Sequence, residues 1–120
     1  MFVVKSDDCL YEKLLEGKIV GGVRIQGIGK LLMKVMGKNM QVVKLNLEKG
    51  FYHPPHQHSE NESIGFLISG KLEMSIADRI FIVTPGDIWH HPKEIPHATK
   101  AIEKSEAIEI HSPSRKDLNR

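Results

Sequence analysis

From Lys18 onward the chain reads as a series of short apolar–polar alternations. The segments GVRIQ (22–26), KLLMKVM (30–36), MQVVKLNLE (40–48), SIGFLIS (63–69), KLEMSIA (71–77), RIFIVT (79–84), DIWHH (87–91) and EAIEIH (106–111) are rich in Val, Ile and Leu. Breaks made of Gly, Pro or polar residues separate them. Side chains alternate between the two faces of a strand, so a period of two interrupted about every ten residues predicts strands. In QVVKLNLEKG, Val43, Leu45 and Leu47 share one face while Lys44, Asn46 and Glu48 share the other. The same reading supplies a candidate core of Val43, Leu45, Leu47, Ile64, Phe66, Ile68, Ile80 and Ile82. Many short strands without intervening helices predict an all-β antiparallel sandwich or barrel, not a parallel α/β sheet. Before Lys18, SDDCLYEKLLEG (6–17) carries the marks of a short helix. Ser6 or Asp7 would cap it, Leu10 and Leu14 share a face, and Gly17 would end it.

Composition narrows the class. The 120 residues suit one domain over 1–120, large enough to bury a core without disulfides or a structural metal. The net charge is +2, with Lys and Glu interleaved along most of the chain. The densest basic cluster, Arg115 and Lys116 with Arg120, is short and lacks aromatics, which argues against a nucleic-acid partner. Cys9 is the single cysteine, so neither an intramolecular disulfide nor a thiolate metal cluster is available. MFVV is followed at once by Lys5, Asp7 and Asp8, unlike a signal peptide. No apolar run approaches the roughly 20 residues that span a bilayer. The expectation is a soluble cytoplasmic protein without a membrane partner. GIGK (27–30) lacks the glycine spacing of a phosphate loop.

The chemistry concentrates in HPPHQHSENESIGFLISG (53–70). On a strand, His56 and His58 would point to the same face, and neutral imidazoles are ligands for Zn, Ni, Fe, Cu and Mn. One H-x-H among seven histidines is equally compatible with a polar loop. It is not isolated, however: PGDIWHHPKEIPHATKA (85–101) follows, with Gly86, Pro92 and His97 spaced six and five apart. His53, beside Pro54 and Pro55, reads as a rim residue. Of the adjacent His90 and His91, at most one faces an interior.

These two stretches resemble the cupin motifs G-x5-H-x-H-x3,4-E-x6-G and G-x5-P-x-G-x2-H-x3-N. Gly50, His56, His58 and Gly70 match the first (50–70), and Gly86, Pro92 and His97 the second (86–101). The resemblance implies a single jelly-roll barrel with a short N-terminal element. It also implies one divalent ion (Zn, Ni, Fe or Mn) held by His56, His58 and His97. There are departures. Glu94 stands where the family has Gly, Ala101 where it often has Asn, and Ser63 where a further ligand usually stands. Glu62 is adjacent and becomes a candidate fourth ligand if a β-bulge turns it inward. Otherwise water completes an open site of catalytic type.

GKNMQVVKLNLEKG, ESIGFLISG and SEAIEIHSPSRKDL further resemble the small KdgF-type cupins of pectin degradation. That resemblance implies a small-molecule substrate, an unsaturated uronate converted to a linear keto sugar. It also carries over an acid to Glu109, an arginine to Arg115, and an aromatic position that is His111 here. His111 is then a candidate to compensate for Ser63. A homodimer is the family expectation. Two other readings stay open: an Fe(II)-dependent dioxygenase using three histidines with open positions, and a non-catalytic ligand-binding or sensor module. A plainer reading of Glu103, Lys104, Glu106 and Glu109 is a solvated strand edge.

Overall fold

The computed structural model describes residues 3–8 and 11–114, with side chains throughout except for Asp8 and residues 32–35. Arg115 and Cys9 lie outside the described residues. A 3-10 turn (Ser6–Asp8) precedes twelve strands: β1 (Tyr11–Leu14), β2 (Ile19–Val20), β3 (Val23–Arg24), β4 (Gly29–Met36), β5 (Gln41–Leu47), β6 (Tyr52–His56), β7 (Glu62–Ser69), β8 (Leu72–Ile76), β9 (Arg79–Val83), β10 (Ile88–His91), β11 (His97–Ala101) and β12 (Ser105–Ser112). Every pairing is antiparallel. A six-stranded sheet runs β1-β4-β5-β12-β7-β10, and a four-stranded sheet runs β6-β11-β8-β9. The two close on one another as a jelly roll, bearing out the all-β barrel.

The helix expected over 6–17 is absent. After the 3-10 turn the chain runs as β1, whose four residues pair with β4 from Tyr11↔Leu32 to Leu14↔Gly29. Leu14 is buried in the core there. A helix this short gains little from its own hydrogen bonds, whereas a free sheet edge satisfies the same backbone groups and buries Leu14.

The core holds Leu14, Ile25, Leu31, Val43, Leu47, Phe51, Leu67, Leu72, Met74 and Val83, with Leu45 packed against it. Five of the eight residues of the sequence-based core are therefore reversed. On β7 the inward residues are Ser63, Gly65 and Leu67, while Ile64, Phe66 and Ile68 are exposed. On β9, Ile80 and Ile82 are exposed and Val83 is buried. A period of two identifies two faces but not which of them points inward. Here the interior of β7 is a site wall and carries the small polar residues.

The short β2–β3 hairpin, turned by Gly21 and Gly22, lies beside β6. Gln26 and Tyr52 exchange backbone hydrogen bonds of 2.8 Å, and the His53 ring donates through Nε2 to the Val20 carbonyl at 2.7 Å. Both glycines have positive φ (61° and 82°), the combination that a tight two-residue hairpin turn needs.

Candidate functional site

The four-stranded sheet supplies the histidines. His97 on β11 is the register partner of His56 on β6, and their ring centroids are 4.3 Å apart. His58 lies just past the end of β6, not on the strand as the H-x-H spacing suggested. Its carbonyl accepts a 2.7 Å hydrogen bond from the Glu94 amide, which ties the loops of the two motifs together. Glu94 holds φ at 62°, which explains why glycine is usual at that place. One donor atom from each of His56, His58 and His97 lies within 4.8 Å of the others.

Tautomers follow from the backbone. The His56 Nδ1 sits 2.8 Å from the Pro54 carbonyl, and the His97 Nδ1 is 3.2 Å from the Ile95 carbonyl. A carbonyl oxygen only accepts, so each Nδ1 carries the hydrogen and each Nε2 keeps its lone pair. Burial lowers the His56 pKa to about 2, reinforced by His53 and opposed by the Pro54 carbonyl. The imidazole is therefore neutral, as a ligand must be. Two oriented Nε2 donors and a third imidazole beside them fit a divalent metal ion.

The six-stranded sheet builds the opposite wall in register. Gln41 (β5), His111 (β12), Ser63 (β7) and His91 (β10) form one row across four strands, all buried. The next row is Val43, Glu109, Gly65 and Trp89. The cavity between the walls measures about 70 Å³ and is lined by His56, His58, His91, His97, Glu109 and His111 among others.

Glu109 links this wall together. Trp89 Nε1 donates to its Oε2 at 3.2 Å, His111 Nε2 lies 3.5 Å from Oε1, and His91 Nδ1 lies 4.0 Å from Oε2. Burial by itself would raise the carboxyl, but His111, His91 and the Trp89 N–H outweigh it and hold Glu109 well below the usual carboxylate range. His91 stacks on His97 with centroids 3.9 Å apart, and its Nε2 lies 3.3 Å from Met74 Sδ. Burial lowers the His91 pKa to about 3 against the opposing pull of Glu109.

Glu62 is not brought to the cluster. It lies half-exposed on the outer face of β7, where its Oε1 accepts from His90 Nε2 at 2.7 Å. The bulge that would invert it does not occur, because β7 keeps continuous register with β12 from Gly65 to Glu62. Ser63 faces the cavity instead. His90 and His91 divide between the two faces as alternation requires, with His91 inside. Trp89 escaped the sequence reading, and His91 entered it only as one of a pair with His90 of which at most one faces inward. Their signal was present: two positions apart on a strand, they share a face.

A barrel of two antiparallel sheets with three convergent histidines inside defines a β-barrel protein whose interior can hold a metal ion. A family model described as "Cupin domain" matches residues 43–111, more than half of the chain, and the chain belongs to the cupins. Its structure resembles KdgF from Halomonas sp. (TM-score 0.72, 25% identity, 75% of this chain and 83% of that one). It also resembles an RmlC-like cupin from Shewanella frigidimarina (TM-score 0.81, 20% identity, 98% and 96%). A variant oxalate decarboxylase from Bacillus subtilis matches at TM-score 0.65 and 25% identity, over 76% of this chain but 27% of that longer one. No curated protein matches in the sequence comparison.

Proposed function

We propose that this cupin is a metal-dependent isomerase that opens the ring of an unsaturated uronate and converts the resulting enol to a ketone. The observation that carries the reading is the pairing of two walls: three imidazoles able to hold a metal ion on one side, and the Glu109–His111 pair on the other. The 25% identity to a structure named KdgF supports it. In this reading His56, His58 and His97 hold one divalent ion, which supplies a Lewis acid when bound. Glu109 and His111 manage the proton, and Arg115 holds the substrate carboxylate bidentately. A cavity of about 70 Å³ accepts a fragment of a few heavy atoms, so the reacting end of the sugar enters and the remainder lies toward the mouth.

The chain acts in this reading as one cupin domain over 1–120, in the cytoplasm and as a homodimer. The outer face of the six-stranded sheet supports the dimer. Ile64, Phe66 and Ile68 on β7, Ile88 on β10 and Ile110 on β12 are all exposed. They adjoin in register, with Ile110↔Ile64 and Ile88↔Phe66. Monomeric proteins seldom leave so continuous an apolar patch in water.

The test is to incubate the metal-loaded protein with 4,5-unsaturated galacturonate and follow the loss of the enol-ether absorbance, with NMR identification of the product. Metal-dependent formation of the linear keto-aldehyde acid is expected. No acceleration over the spontaneous reaction, with metal bound, overturns the assignment.

A further inference from the structure

The inner wall facing the three histidines places Gly65 and Trp89, which the isomerase reading leaves unused, beside Glu109 and His111. Glu109 and Trp89 are both register partners of Gly65, one on each side of it. Gly65 has no side chain, and a Cβ built there would fall 2.0 Å from Trp89 Cε2. The indole therefore lies across the vacant position and delivers its N–H to Glu109 Oε2. The other carboxylate oxygen, Oε1, faces His111 Nε2. His111 is 2% exposed; its Nε2 has only the 3.5 Å contact with Glu109 Oε1, and its Nδ1 has no hydrogen-bond partner among the described residues. A buried ring nitrogen without a partner is costly, and His111 stands here beside the cavity.

We propose that Gly65, Trp89 and Glu109 are positioning residues for His111, and that His111 is the group that receives and returns the proton. The inference rests on the isomerase reading and assigns its proton carrier. Glu109 accepts from Trp89 through one oxygen and turns the other toward Nε2. The Nε2–H tautomer of His111 is thereby favoured, and Nδ1 is left as the basic atom. A carboxylate in this relation orients an imidazole and stabilises its protonated form without taking the proton itself.

The step balances with one proton. His111 Nδ1 takes it from the anomeric hydroxyl as the bond between the anomeric carbon and the ring oxygen breaks. The aldehyde forms, and the electron pair remains on the ring oxygen as an enolate. The enolate then collapses to the ketone, and the former double bond takes the same proton from His111 at the adjacent carbon. One O–H bond is lost and one C–H bond gained, nothing is oxidised or reduced, and Glu109 stays ionised throughout.

The experiment is ¹⁵N-histidine NMR on the zinc-loaded full chain, with the His111 ring signals assigned by their loss in His111→Gln. Three further forms are compared: wild type, Trp89→Phe and Glu109→Gln, each checked for folding by thermal melting. The expected result is a single Nε2–H tautomer in wild type and a mixture of tautomers in both variants. In the isomerase assay with 4,5-unsaturated galacturonate, kcat should fall at least about tenfold for Trp89→Phe with KM little changed, the pattern of a lost proton-transfer contribution. An Nδ1–H tautomer in wild type, or an unaltered Nε2–H tautomer in both variants, overturns the inference. If the tautomers behave as expected while wild type leaves the uronate untouched, the positioning of His111 is upheld and the uronate reading is what fails.

Discussion

His56 and His97 are matched across the β6–β11 ladder, and each donates Nδ1–H to the carbonyl two residues before it, Pro54 and Ile95. The same local device fixes both rings with Nε2 free. Because the backbone sets these tautomers, the donors are prepared before any ion arrives, and little reorganisation is needed on binding.

Replacing His56, His58 or His97 by Ala should therefore weaken zinc binding by at least about 100-fold, more than the loss of an outer hydrogen-bond partner typically costs. Isothermal calorimetry on the apo protein measures it, and near-normal affinity in any of the three variants would remove that residue from the site. Chelation should leave the barrel folded, because Leu67, Leu72, Met74 and Val43 form an apolar core that needs no ion. Collapse of the circular dichroism on adding EDTA would contradict this.

The metal-free protein should lose stability as pH falls from about 7 to 5. His56 and His91 have folded pKa values lowered to about 2 and about 3, so between those values and 6.5 the unfolded chain binds more protons than the folded one. Stability is then fully present above pH 6.5 and declines on acidification, by up to about 1.4 kcal/mol per pH unit for each histidine. Glu109, also lowered, adds a loss of the same sign once the pH drops through the normal carboxylate range. Urea titrations at pH 7, 6 and 5 read this directly, and a flat or rising midpoint toward pH 5 would refute it.

Gly21 should be a metal-site residue without being a ligand. A Cβ at this position would meet His56 Cδ2 at 2.9 Å and His58 Cε1 at 3.3 Å, on a backbone with φ of 61°. Gly21→Val should weaken zinc binding about tenfold or more while costing stability of about 1–3 kcal/mol, the range of overpacking. Wild-type affinity in a folded variant would show that the hairpin moves freely away from the histidines.

If the outer face of the six-stranded sheet meets a second copy, Phe66→Asp combined with Ile88→Lys should yield a monomer by light scattering, with the histidine cluster still binding zinc. A wild-type protein that is already monomeric at micromolar concentration would leave Ile64, Phe66, Ile68, Ile88 and Ile110 as an exposed apolar sheet and end the dimer proposal.

The barrel was legible because eight alternating segments recur between breaks, and His56, His58 and His97 were legible because local spacing carries them. The opposing wall was harder to see. Gln41, Ser63, His91 and His111 come one from each of four strands, and only the antiparallel register aligns them. Their faces were also easy to invert. On β7 the outward Ile64, Phe66 and Ile68 are more apolar than the inward Ser63 and Gly65, so hydrophobicity pointed the strand the wrong way. Pairing with β4 likewise turned a locally helical-looking stretch into β1.

Trp89 is the single tryptophan of the chain, and it is buried within the site it helps to build. Its ring centroid lies 6.5 Å from that of His91, which in turn stacks on His97. Excited at the red edge of its absorption, where the two tyrosines absorb little, this one indole reports with little background from elsewhere in the molecule. A quenching ion such as copper or nickel held by the histidines would darken it in proportion to occupancy. The protein thus contains its own optical gauge of metal loading, readable in dilute solution without a label.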